Sequence, residues 1–189
     1  MAVKRSNNIW NSFKTVLFIV LMLWVILVIS LFFPLQEYGI RPRITAGLIG
    51  IPFAPFIHAS IDHLIANSIM LLILGSIFLT MERKLSLVIV LHIIILGGLG
   101  TWLIGRAEYT HVGASGVVYG ILGYLVVMGI FVRNFKTILV SILILIIFMV
   151  YGDAIKGIFP TSGFVSWESH LCGFIAGIST AQMYSKRGK

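Results

Sequence analysis

Long stretches without a charged residue alternate with short clusters of charge, and this alternation restricts the chain more than any other feature. Uncharged runs cover 15–36, 63–81, 85–105, 109–132, 137–152 and 169–185. A helix that crosses a bilayer needs about 17–25 apolar residues at a rise of ~1.5 Å each. The first four runs satisfy that length, and the last two fall at or just below its lower limit unless Gly152–Asp153 extend the fifth. Hydrophobic residues make up 59% of the 189 and charged residues only 11%, against roughly 25% charged in a soluble domain. A soluble enzyme is thereby excluded. The formal net charge of +8 does not indicate nucleic acid, because the basic residues lie in clusters between apolar runs, which is a topology signal.

The expected fold is an all-α membrane protein, one domain over 1–189, with six transmembrane helices at about 15–36, 61–81, 85–105, 113–132, 137–153 and 168–185. A seventh uncharged run, 44–61, contains Gly47, Gly50, Pro52 and Pro55 with His58 and Ser60, which argues against an unbroken helix. Residues 35–60 are therefore expected to form a long outer loop, partly embedded in the membrane, and tolerated there by packing on protein. Ten of the fourteen Lys and Arg residues fall on one set of loop ends, and five of the six acids fall on the other. The positive-inside rule then places both termini in the cytoplasm of a multi-pass protein of the cell's inner membrane. Trp167 and Tyr184 flank the last span as interfacial anchors would. No cleavable signal peptide is expected, since the first run is long enough to span and no A-x-A-like site follows it. The lone Cys172 cannot form an internal disulfide.

Spans 2, 4 and 6 all start at the outer face, and their polar residues gather in the first turns: His63 and Asn67, Ser115, and His170. All would lie within roughly 10 Å of the outer boundary, at 1.5 Å per residue. Ionisable groups at that depth are costly and point to function. Ser115 lies in Gly113-Ala114-Ser115-Gly116, where a loop enters span 4. A helix start offers unpaired N–H groups and a positive dipole end, which stabilise an oxyanion formed on attack by the serine. A serine hydroxyl needs a base to become nucleophilic, and His170 is the candidate. His63 and Asn67, spaced i,i+4, share one face and can donate into one pocket.

Close approach of spans 4 and 6 follows from their small residues. Gly116, Gly120 and Gly123 run down span 4, and Gly173 and Gly177 down span 6, a pattern that lets helix backbones touch. Tyr119, one turn after Ser115, lies on the face that would stack against His170. No carboxylate is placed as a third member: Glu168 points to another side of its helix, and Asp153 cannot be positioned. The expectation is a Ser–His dyad whose imidazole is held by packing, needing no cofactor and no metal. The sequence holds no H-E-x-x-H. His92, well inside span 3, is expected to be a hydrogen-bonded core residue, and His58 and His111 to be solvated near the outer surface. An aspartyl protease would need two carboxylates sharing a site. A transporter would need polar residues through the full depth, whereas the inner halves here are almost purely apolar.

His58-x4-His63-x3-Asn67, Gly113-Ala-Ser115-Gly116 with Tyr119, and His170-x2-Gly173-x3-Gly177, in that order on three spans of matching polarity, resemble the rhomboid family of intramembrane serine proteases. The resemblance covers about residues 45–184. It implies a six-helix, rhomboid-like bundle with Ser115 as nucleophile and His170 as general base. His63, Asn67 and the Ser115 N–H would form the oxyanion hole, and Tyr119 would support the His170 ring. Gly113, Gly116, Gly173 and Gly177 would shape the site. Substrates would be single-pass or multi-pass membrane proteins, cut near the outer boundary of the lipid bilayer. Two departures stand out: Ser169 replaces the alanine usual before the helix 6 histidine, and 45–53 lacks the Trp-Arg pair common in the first loop. The competing expectation is a catalytically inactive rhomboid-like protein that binds membrane helices, but such relatives lose the serine or the histidine, and both are present here.

Overall fold

The computed structural model describes residues 3–150, 157–160 and 165–185. Its long elements are α1 (Val3–Ser30), α2 (Ile61–Met81), α3 (Ser86–Ile104), α4 (Ser115–Val132), α5 (Phe135–Val150) and α6 (Trp167–Ser185). Among the described residues there is no strand, only an isolated antiparallel bridge between Ile40 and His111. Ile9–Ser30, Ile61–Met81, Ser86–Ile104 and Ser115–Val132 are long and apolar enough to cross a membrane. The chain is thus an all-helical, multi-pass membrane protein. The expected six crossings are met on length and composition by four helices. The apolar part of α5 is shorter, and α6 mixes Glu168, Ser169, His170, Ser179, Thr180 and Gln182 into its 19 residues.

Several boundaries differ from expectation for local reasons. The first helix stops at Ser30 rather than near 36, because Pro34 disfavours helical geometry at Phe33. The Ser30 hydroxyl donates to the Leu27 carbonyl, so the end is satisfied. α2 starts after Ser60, whose side chain accepts from the His63 N–H at 3.2 Å. Leu71–Gly75 within α2 is a π-helical turn, where Gly75 faces Val16 of α1. Residues 151–153, expected to end the fifth span and including Asp153, lie outside the described residues, as does Lys156.

α4 is the central post. Val117, Val118, Ile121, Leu122, Tyr124 and Leu125 are all buried. α6 packs along it more extensively than any other pair of elements. The glycines bring this about. A Cβ on Gly173 would fall on the Gly116 carbonyl, one on Gly177 on the Gly120 carbonyl, and one on Gly123 on the Phe174 carbonyl. Gly120 also faces Ile93 of α3, so it serves a three-helix contact rather than the α4–α6 pair alone. α1 lies against α2 through buried Val16, Val20, Leu23 and Leu27.

The loop between α1 and α2 contains short helical turns at Leu35–Tyr38, Thr45–Ile49, Gly50–Phe53 and Ala54–Phe56. Its anchor, in place of the missing Trp-Arg pair, is Arg43 and Trp102. The Arg43 guanidinium donates to the Leu103 and Gly105 carbonyls at 3.1 and 2.8 Å. The Trp102 indole donates to the Ile44 carbonyl at 2.8 Å. Tyr184 is no interfacial anchor: it is buried, with its ring edge-on to His92 at 5.5 Å. His92 is hydrogen-bonded as expected, its Nδ1 to the Val88 carbonyl at 2.8 Å, but it is half-exposed rather than a core residue.

Candidate functional site

Gly113 has φ +119, a conformation that side chains resist, and the His63 ring occupies the space a Cβ would need. The Gly113 N–H donates to the Ala54 carbonyl at 2.9 Å, and the Ala114 N–H to His58 Nε2 at 3.3 Å. The loop between α1 and α2 thus holds two successive amides of the turn. The next residue, Ser115, is the first of α4, where backbone N–H groups have no partner within the helix. His58 is not solvated, contrary to expectation: only 1% of it is exposed. Burial, with the nearby His63 second, pushes its pKa down to about 4. His111 is also buried rather than solvated, and burial lowers its pKa.

On α2 the His63 ring meets His58 edge-on at 5.2 Å. One turn later Asn67 is buried, and its Nδ2 donates to the His63 carbonyl at 3.0 Å. That uses one of its two amide hydrogens and leaves the second for another acceptor. On α6 the buried His170 ring stacks on Tyr119 at 4.2 Å and 13°, the contact expected from the spacing. Its Nδ1 lies 2.8 Å from the Gly157 carbonyl. A carbonyl can only accept, so Nδ1 carries the proton and Nε2 holds the lone pair. This orienting group replaces packing alone as the support of the ring.

Ser115, His170, His63, Asn67 and Tyr119 all line one cavity of about 1150 Å³. Among the described residues no direct hydrogen bond joins Ser115 to His170; catalytic hydrogen bonds often close only when substrate is bound. Among the described residues no group of three or more His, Cys, Asp or Glu side chains is arranged to hold a metal ion. Chemically, the cavity offers a hydroxyl, a neutral imidazole and several N–H donors.

Two groups escaped the sequence reading. Gly157 acts through its backbone, which leaves no trace in residue identity. Arg106 was counted only for topology, yet it binds the fully buried Glu168: Nε to Oε1 at 2.7 Å and backbone N–H to Oε1 at 3.1 Å. Glu168 therefore faces the loop before α4 and not the His170 ring, in keeping with its exclusion from the dyad. Oppositely charged residues at the outer ends of adjoining spans were the available signal.

Residues 45–187 match the family profile described as Rhomboid domain. Uncharacterized proteins of Mycobacterium tuberculosis and Mycobacterium bovis are each 43% identical over 160 residues, covering 80% of this chain and 65% of the relative. One from Mycobacterium leprae is 37% identical over 159 residues, covering 80% and 62%. The chain thus spans somewhat under two thirds of the length of these relatives.

Proposed function

Because the chain belongs to the rhomboid family, we propose that it is an intramembrane serine endopeptidase cutting transmembrane segments of other membrane proteins near the outer membrane boundary. The supporting observation is the His170 imidazole, stacked on Tyr119 and bonded through Nδ1 to Gly157, with Ser115 on the same cavity. In this reading α5 and α6 are the fifth and sixth crossings, the loop before α2 is partly embedded, and both termini are cytoplasmic. Single-pass or multi-pass proteins reach the site from the surrounding bilayer of the inner membrane.

The Ser115 oxygen attacks the scissile carbonyl carbon while His170 Nε2 takes its proton. The resulting oxyanion is stabilised by the Ser115 N–H, His63 and the free Asn67 amide hydrogen, aided by the positive end of α4. Collapse breaks the C–N bond, and the imidazolium returns its proton to the leaving amine. Water, deprotonated by His170, then releases the acyl group and restores the serine. No cofactor or metal takes part.

The test is cleavage of a model transmembrane substrate in proteoliposomes by the wild type and Ser115→Ala. Product is expected from the wild type alone, with helical content equal in both. Equal cleavage would remove Ser115 from the mechanism.

A further inference from the structure

Glu168 is a buried carboxylate for which the proposed chemistry has no use. It has no exposed surface, yet it sits two residues before His170 in the first turn of α6. Arg106, in the loop that leads to Ser115, grips it with its side chain and its own backbone N–H. The same guanidinium donates to the Val165 carbonyl at 2.7 Å, just before α6. A second link runs beside it: His111 Nδ1 is 2.6 Å from the Ser166 hydroxyl, which accepts the Ser169 N–H at 3.3 Å and so caps the helix. Every bond in this cluster joins the segment carrying Ser115 to the helix start carrying His170, or fixes one of those two ends.

An ion pair between a buried carboxylate and a guanidinium that is 24% exposed adds little net stability, since desolvation of the carboxylate and screening of the arginine offset their attraction. Its distinctive property is geometric: a planar guanidinium fork fixes distance and angle together. The α4–α6 glycine contacts fix how closely the two helices approach, but smooth glycine faces do not by themselves prevent sliding along the axis. The serine and the histidine come from different helices, so axial slippage would separate them directly.

We propose that Arg106 and Glu168 are positioning residues, a polar tether between the half-buried guanidinium and the buried carboxylate that sets the axial register of the His170 helix against the Ser115 turn. This rests on the proteolytic reading above. Neither residue touches the reacting atoms; both act through the dyad.

The test uses the full chain in proteoliposomes with a model transmembrane substrate, measuring kcat, KM and melting temperature. Glu168→Ala removes the carboxylate that Arg106 holds on α6, and kcat is expected to fall about 10²-fold, the cost of an ångström-scale misplacement, with KM unchanged. Glu168→Gln keeps an oxygen acceptor and should recover most of the lost kcat. The double variant Arg106→Met/Glu168→Met removes both charges of the pair. Its melting temperature should return toward wild type while kcat stays about 10²-fold down. Wild-type kcat in the double variant would overturn the tether. Should the double variant not fold, wild-type kcat in Glu168→Ala below its melting point would do the same. A wild-type protein that cleaves nothing would instead defeat the proteolytic reading, so the two failures are distinct.

Discussion

Gly173→Ala tests whether helix contact governs chemistry. The added Cβ would fall on the Gly116 carbonyl, adjacent in sequence to Ser115, and Gly97 of α3 closes the other side. Both neighbours are backbone, so no flexible side chain can yield. An ordinary C···O contact is about 3.3 Å, and restoring it requires α6 to shift by about 1 Å. His170 lies one turn before Gly173 on the same rigid helix, so the shift passes straight to the imidazole. Overpacking of this kind costs about 1–3 kcal/mol of stability, while a 1 Å misplacement costs about 10²-fold in rate. Activity should therefore collapse in a protein that still folds. Substrate cleavage in proteoliposomes gives kcat, and thermal melting followed by circular dichroism gives stability. Gly75→Ala is the control, since its Cβ would meet only Val16 side-chain atoms at 3.3–3.4 Å, against α1 and remote from the dyad. A folded Gly173→Ala protein with kcat within twofold of wild type, or an equal loss in Gly75→Ala, would refute the reasoning.

Asn67→Ala should impair cleavage without abolishing it, by between about 10-fold and 10²-fold in kcat, because His63 and the Ser115 N–H share the oxyanion. An unchanged kcat would remove Asn67 from the site. Stability should also depend on pH through His58, whose folded pKa of about 4 lies below its ordinary 6.5. Above pH 6.5 the ring is neutral in both states. As pH falls from 6.5 toward 4 the unfolded chain takes up a proton that the folded protein refuses, so stability declines across that window. His111, shifted in the same direction, adds to the loss. Melting temperatures between pH 7 and 4 should drop for the wild type and less steeply for His58→Gln; parallel curves would contradict a neutral buried His58.

The helices were legible because membrane physics writes them in residue type. Charge-free runs marked the spans, and the glycine spacing at Gly116, Gly120, Gly173 and Gly177 anticipated the contact between α4 and α6. Tyr119 was placed correctly by helical period alone. What stayed hidden depends on loops folding back. His58 and His111 look solvated in the sequence because they lie in loops, yet both are buried, His58 bonded to the Ala114 N–H and His111 to the Ser166 hydroxyl. The Gly157 carbonyl is invisible in principle, since every residue carries one. Arg106 and Glu168 were read as separate boundary charges, because a pairing across 62 positions leaves no local pattern. The π-helical turn at Leu71–Gly75, where Gly75 faces Val16 of α1, was not anticipated either.

The dyad itself is tested most directly by a fluorophosphonate probe, which forms a covalent bond only with an activated serine oxygen. After incubation with the purified protein, mass spectrometry of the peptides should place a single adduct on Ser115. Ser115→Ala should carry none, and His170→Ala should label far more slowly, because nothing would draw the proton from the hydroxyl. An adduct on another residue, or labelling of equal rate in the His170→Ala protein, would contradict a serine activated by that histidine.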